Sequence, residues 1–325
     1  MPDAVTIPTA TSDAAPLARR RVSPLPENLF SATVIGSGLI VLLLLGAIIV
    51  MLADGAWPAL KAFGIAFFWS PVWDSVNDKY GAGIMVYGTV LSSVLALLIA
   101  VPLSIGVAYF LTEILAAPFR RAVGVVIQLL AAIPSIIYGM WGFFVLAPWL
   151  AAHFILDVAD LAAPVPGLNK ILDYGSGNSV FTAGLVLAVM ILPLITAMFV
   201  EILGATPVVL KESAYGLGCT RFEVVRSVAV PYGRRAMIGA VMLGLGRALG
   251  ETMAVTFVVG NATRLSPNIF AQGSTIASTI ANEFNEAGFG SMKLAALLGL
   301  GLTLFIISFI VLAASRALVA PRAVS

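Results

Sequence analysis

Six stretches of this chain are too long and too apolar for the interior of a water-soluble domain, and they leave few folds open. They run over about residues 30–52, 83–111, 122–150, 179–203, 236–260 and 292–314. Each exceeds the ~20 residues that a helix needs to cross the hydrocarbon of a bilayer. No water is present there to satisfy loose backbone groups, so such a run reads as a spanning helix. Composition agrees, since 60% of the residues are hydrophobic and 10% charged, where a soluble domain carries about 25% charge. The expectation is an all-α integral membrane protein with six transmembrane helices and the lipid bilayer as its solvent.

The first run is longer than the apolar core of a signal peptide and lacks a convincing cleavage site, so it reads as an uncleaved span. Before it, residues 1–27 are rich in Pro, Ala, Thr and Ser and carry Arg19-Arg20-Arg21. They read as a disordered tail. The membrane domain is placed over 28–318 and a short second tail over 319–325. Six spans put both termini on one side. There the first tail, the 112–121 loop, the 204–235 loop and the C-terminus hold 12 of the 18 Lys and Arg residues. The other side holds five: Lys61, Lys79, Lys170, Arg264 and Lys293. Arg247, the remaining one, falls inside a span. The excess of basic residues places both termini and the 204–235 loop in the cytoplasm.

The outer loops have features of their own. Residues 53–82 carry Trp57, Phe63, Phe67, Phe68, Trp69 and Trp73, which suits the headgroup level. Residues 150–178, with Pro164, Pro166, Gly167, Gly175 and Gly177, read as irregular. In 261–291, Ser274 is a candidate cap for a short helix with Ile276, Ile280 and Phe284 on one face. Both of these later loops are candidates for receiving an extracytoplasmic binding protein, with plain surface cover the equal alternative. Within the spans, Pro102, Pro134, Pro148 and Pro193 interrupt hydrogen-bond ladders, and kinked helices tend to pack round a cavity.

The most structured of the charged loops begins Thr206-Pro207-Val-Val-Leu-Lys211-Glu212-Ser213-Ala214-Tyr-Gly216-Leu-Gly218. Thr206 before Pro207 reads as an N-cap followed by the first helical position. Glycines end that helix, and Thr220-Arg221-Phe222-Glu223 forms a capping box for a second helix, expected to stop at Pro231. Two short helices on a glycine elbow make a compact docking knob over 206–231.

These residues resemble the EAA loop of ABC-transporter permeases, which runs Glu-Ala-Ala, three residues, Gly, nine residues, then Ile-x-Leu-Pro. Here the pattern is Glu212-Ser213-Ala214, Gly218 and Val228-Ala229-Val230-Pro231, with the spacing intact. Two further strings are similar to the phosphate-specific (Pst) permeases, the C-type subunit in particular. They are Ile133-Pro134-Ser135-Ile-Ile-Tyr138-Gly139-Met-Trp141-Gly142 and Gly246-Arg247-Ala-Leu-Gly250-Glu251-Thr252-Met253. The resemblance covers roughly residues 30–316. It implies a type I (MetI-like) permease of a bacterial inner membrane, in which Glu212, Ser213, Ala214, Gly218, Arg221 and Pro231 meet an ATPase. It also implies a second homologous permease (PstA-like), two ATPase subunits (PstB-like) that bind ATP and Mg, and a phosphate-binding protein (PstS-like) outside the membrane. No cofactor in this chain and no nucleic-acid partner are expected.

Arg247 lies about 16 Å into its span at 1.5 Å per residue, near the bilayer centre. A charge there is costly and marks a substrate path or a pair. Glu251, four residues on, would share its helix face. The alternative role is a mutually neutralising pair. In favour of a substrate path, Arg before Glu is the weaker order for an intrahelical pair, and the guanidinium fork matches phosphate. The candidate pathway is therefore Arg247, Glu251 and Thr252, with Ser135 and Tyr138 from the third span. Gly246 and Gly250 form a small-residue face for a neighbouring helix.

No covalent chemistry is legible. There is no Gly-x-x-x-x-Gly-Lys-Ser/Thr, as none of the five lysines follows a glycine. A P-loop ATPase is thereby excluded from this chain. Nucleophile elbows and cofactor fingerprints are absent too, and a lone Cys219 with a lone His153 argues against a structural zinc site. The expected activity is ATP-driven phosphate import by alternating access, with the energy entering through a separate protein. A permease for another oxyanion such as sulfate or molybdate, and a secondary phosphate transporter, stay open as rivals.

Overall fold

The computed structural model describes residues 24–319. Of the two expected tails, residues 1–23 and 320–325 lie outside the described residues, and 24–27 already belong to the first helix. The chain divides into two units, 1–50 and 51–325. In the first, helix α1 (Pro24–Phe63, 40 residues) begins, and its Leu and Ile side chains are exposed along the run Leu39–Leu45. Apolar exposure of that kind fits a helix with lipid as its solvent.

The second unit contains the last turns of α1, then a small antiparallel hairpin of β1 (Trp73–Asp74) and β2 (Lys79–Tyr80). Helix α2 (Gly83–Tyr109) follows and continues into a wide π-type turn over Phe110–Ile114. Helix α3 (Ala117–Ala131) is separate. Next, α4 (Ser135–Trp141), α5 (Ala147–Leu150) and α6 (Leu156–Ala162) are joined by two wide turns into one rod, Ser135–Ala162. After the short α7 (Leu168–Ile171) comes α8 (Val180–Gly204). The 204–235 loop holds α9 (Val208–Gly216) and α10 (Arg221–Val224). The rest is α11 (Val230–Leu249), α12 (Met253–Val258), α13 (Ile276–Glu283) and α14 (Met292–Val319).

The main core lies where α2 and α8 pack along their lengths, with α11 across them. Small residues make this contact possible: Ala96, Ala100 and Ala108 of α2 are buried against Leu187, Ile191 and Ile195 of α8. Small faces let helix backbones approach where lipid offers no hydrophobic drive. Two of the buried hydroxyls bond to carbonyls, Thr89 to Met85 at 2.7 Å and Ser104 to Leu192 at 3.3 Å. A second core joins the turn after α1, the hairpin, the start of α2, α13 and α14 through Phe67, Tyr80, Met85, Ile276 and Leu300.

Five described helices are long and apolar enough to cross a membrane: 28–68, 83–114, 135–162, 180–204 and 292–317. Two of the six expected spans come out differently. The one read over 122–150 is cut at Ala132–Pro134, and its spanning part runs instead over Ser135–Ala162. Pro134 supplies no N–H, so the ladder stops in front of it. The span read over 236–260 ends at Leu249 and restarts at Met253. Gly246 and Gly250, both poor helix formers, weaken its end.

Loop details also shift. Thr275, not Ser274, caps α13, in a box with Ser278; Ser274 donates to the Ala262 carbonyl at 3.0 Å. The aromatic stretch is only partly a headgroup belt. Trp57 and Trp69 are exposed, but Phe67 and Trp73 are buried, and Trp73 Nε1 donates to Glu283 at 3.0 Å. The supposedly irregular 150–178 loop stays helical to Ala162.

Candidate functional site

Two places carry the residues singled out by sequence. The first is the segment 206–231. The capping box forms as read: Glu223 N donates to Thr220 Oγ1 at 3.4 Å, and Thr220 N donates to Glu223 Oε2 at 2.7 Å. The Thr220 N–H most, and then the Thr220 hydroxyl that donates to Oε2 at 2.8 Å, hold the Glu223 carboxyl below its ordinary value. The elbow turns at Gly218, whose φ of +87° is a conformation side chains rarely adopt. Of the motif residues, Ala214 is buried, Glu212 is exposed, and Ser213 donates to the Val209 carbonyl at 2.7 Å.

Two expectations fail here. Thr206 does not cap α9; Pro207 takes that position, and the Thr206 hydroxyl is buried with no partner. Nor does the second helix stop at Pro231. From Arg221 the chain stays helical through a wide turn at Val225–Ala229 and on through Pro231 into α11. The wide turn uses i→i+5 bonding, which accommodates a residue that lacks an N–H. The knob is therefore one short helix, an elbow, and the start of a long helix.

Sequence reasoning missed what holds this segment. Lys211 Nζ lies 2.8 Å from Glu113 Oε1, both side chains more than four-fifths buried. Arg221 Nη1 donates to the Glu113 carbonyl at 3.1 Å, and Arg120 Nη2 to the Thr112 carbonyl at 2.5 Å. Phe222 meets Tyr109 edge to face, with ring centroids 6.1 Å apart. Carbonyls at a helix end are left without intrahelical partners, and here two arginines answer them. A cation also suits that end of the helix dipole. The end of α2 is thus bound to both α9 and α10. Only the run of basic residues in this loop hinted at it, because the partners lie about a hundred positions away in sequence.

The second place is the pair of helix interruptions. Helix α12 packs on α4, with Gly139 at the contact: a Cβ there would lie 2.8 Å from Ala254 Cα and 3.0 Å from Ala254 O. Only glycine fits so close an approach. Tyr138 bridges the first interruption, its hydroxyl donating to the Leu130 carbonyl at 2.9 Å. Ser135 opens α4 just beyond it, half-buried.

At the second interruption, Arg247 sits in the last turn of α11 and Glu251 lies past the helix end, so they do not share a helix face. No ion pair joins them among the described residues. Instead Glu251 Oε1 accepts from Ala254 N at 3.3 Å, which caps α12. Thr252 donates to the Gly250 carbonyl at 3.4 Å, and Thr256 to the Thr252 carbonyl at 2.7 Å. Arg247 is exposed, and its side chain makes no hydrogen bond among the described residues. The expected helix-facing role of Gly246 and Gly250 does not appear within this chain: a Cβ at Gly246 would meet nothing, and one at Gly250 only the Gly246 carbonyl. In many transporters, interrupted helices present helix ends and freed backbone groups to a translocated ion.

A bundle of membrane helices with an elbowed loop on its charged side and an interrupted helix within defines a membrane component of a transport system. Residues 100–323, more than half of the chain, match the family described as "Binding-protein-dependent transport system inner membrane component". The phosphate transport system permease protein PstC of Mesorhizobium japonicum is 50% identical over 295 residues, covering 90% of this chain and 89% of that protein. PstC of Haemophilus influenzae is 47% identical over 294 residues, covering 90% and 93%. The chain belongs to this family of inner-membrane components, and within it to the PstC permeases. Among solved structures, a bacterial alginate ABC transporter in complex with an alginate pentasaccharide-bound periplasmic protein has a similar fold. The TM-score is 0.52 at 15% identity, over 90% of this chain and 96% of that one.

Proposed function

We propose that this chain is the membrane-spanning subunit through which an ATP-driven system imports inorganic phosphate. The observation that carries this is identity near one half, over nine-tenths of the chain, with permeases named for phosphate transport. Energy enters through the exposed side of α9 and the elbow, where Glu212, Ser213, Gly218 and Arg221 meet a separate ATPase that holds ATP and Mg. A second homologous permease completes the pathway, two ATPase subunits sit below, and a binding protein delivers phosphate from outside. Closure of the ATPases moves α9 and α10, and the Glu113 attachment passes that motion to α2 and so to its packing with α8. The two sets of helices then alternate between inward and outward openings. Phosphate passes Arg247, with Glu251, Thr252, Ser135 and Tyr138 shaping the path.

Uptake of labelled phosphate by cells tests this directly. It should stop when ATP is depleted with the proton gradient intact, and persistence would point to a secondary transporter. The orientation follows from the basic residues: termini and 206–231 in the cytoplasm, 261–291 outside. In a Cys219→Ser background, a cysteine at Asn282 should label with an impermeant thiol reagent from outside, and one at Arg221 only after the membrane is opened. The reverse pattern would overturn the orientation.

A further inference from the structure

The basic residues of the outer loops are not treated alike. Lys293 is held by Glu283 at 3.0 Å and Glu286 at 3.5 Å. Lys170 and Arg264 come from different loops, yet both line one open chamber of about 580 Å³. Neither side chain makes a hydrogen bond or ion pair among the described residues. Ser266, Asn268 and Gln272 add hydrogen-bonding groups to the wall, and Asp173 is the one carboxylate in it. That carboxylate is partly engaged, since its Oδ1 accepts from Tyr174 N at 2.8 Å. The lining therefore keeps one net positive charge.

The chamber has a fixed frame. Asn268 Nδ2 donates to the Tyr174 carbonyl at 3.1 Å, and its Oδ1 accepts from Phe270 N at 2.9 Å. Ile269 N donates to the Ile171 carbonyl at 3.0 Å, tying the two loops together. Beneath them Phe270 is buried with Leu150 and Ile155. A narrower cleft shares Arg264 and Gln272 with the chamber and reaches Tyr87 and Gly88 of α2. The cleft thus extends inward from the chamber toward α2.

We propose that this chamber is an entry station that captures inorganic phosphate as the binding protein releases it, before the ion reaches the membrane path. The inference rests on the substrate and orientation given under Proposed function. A released anion either diffuses away or enters the permease, and a concave cationic wall raises its local concentration. The Arg264 fork matches two oxyanion oxygens, Lys170 supplies a point charge, and amides and hydroxyls take the remaining lone pairs. The volume admits the ion with part of its water, which suits transient capture rather than tight binding.

The test uses the complete transporter in liposomes, with phosphate-loaded binding protein titrated and both labelled-phosphate uptake and ATP hydrolysis read. In Lys170→Gln/Arg264→Gln, phosphate moved per ATP hydrolysed should fall about tenfold, the loss expected of one charge-assisted hydrogen bond. Arg264→Lys alone should lose less. An unchanged ratio in the double variant, at matched complex abundance, overturns the proposal. So does a change confined to the binding-protein concentration needed for half-maximal hydrolysis, which would make this wall a docking surface. If the wild-type complex moves no phosphate, the parent reading fails and this one with it. If it does and the double variant keeps pace, only the entry station fails.

Discussion

Charge is handled in opposite ways at the two ends of this permease's working parts. At the end of α2, each charge is answered within the chain: Glu113 by Lys211, its carbonyl by Arg221, and the neighbouring Thr112 carbonyl by Arg120. At the interruption of α11 and α12, Arg247 has no partner among the described residues, and Glu251 is spent on capping α12. Satisfied charges fasten elements together. A charge left unanswered at membrane depth is costly, and where one is kept it marks a substrate path or a partner. Under the function proposed above, the first site transmits motion and the second meets the ion.

The sharpest way to break this contrast is to remove the unanswered charge. Arg247→Leu should abolish phosphate uptake while leaving membrane abundance and complex assembly near wild type, because no bond in the fold is lost. Assembly that collapses with the arginine would make it a structural residue instead. Gly218→Val ranks next. A Cβ at positive φ costs roughly 1 kcal/mol or more, so the elbow should shift and uptake should drop severalfold relative to ATP hydrolysed. Full coupling in that variant would separate the elbow from energy transfer.

The transmitting site can be tested by exchange. Glu113→Gln or Lys211→Gln leaves one mostly buried charge alone, at about 1–3 kcal/mol, and should uncouple hydrolysis from uptake. The reversal Glu113→Lys with Lys211→Glu should recover part of the coupling, since the pair is restored in mirror image. If it recovers nothing while the protein is present at normal levels, the pair is not what carries the motion. The smallest effect belongs to the capping box. Because the Glu223 carboxyl is held low in the folded chain, its contribution is fully present above the ordinary carboxylate range. It is lost as pH falls through the folded value. Amide protection at 220–224, after correction for the intrinsic pH dependence of exchange, should fall on acidification, and Glu223→Gln should flatten that pH response.

What the sequence disclosed follows the range of the interactions. The capping box is three residues wide, and Thr220 and Glu223 alone dictate it. Spans are dictated by apolar length, so most were legible, whereas their interruptions were not. A hydropathy window slides over Gly250–Thr252 unchanged, although Gly246, Gly250 and Pro134 were the signals that breaks were near. The Arg247–Glu251 face was misread for the same reason: four residues mean one face only while the helix lasts. Glu113 was invisible because its partners are distant in sequence and nothing local marks an acid as theirs. The continuation of α10 through Pro231 depended on a wide turn that no propensity scale encodes.

The central claim is that Arg247 answers to the transported ion rather than to Glu251. Phosphate uptake by Arg247→Leu/Glu251→Leu, measured at matched membrane abundance, tests it most directly. If the two charges exist to neutralise each other, removing both should restore what either single change destroys. The structure separates them by a helix end, so the double variant should be as inactive as Arg247→Leu alone. Uptake at the wild-type rate in the double variant would contradict the account.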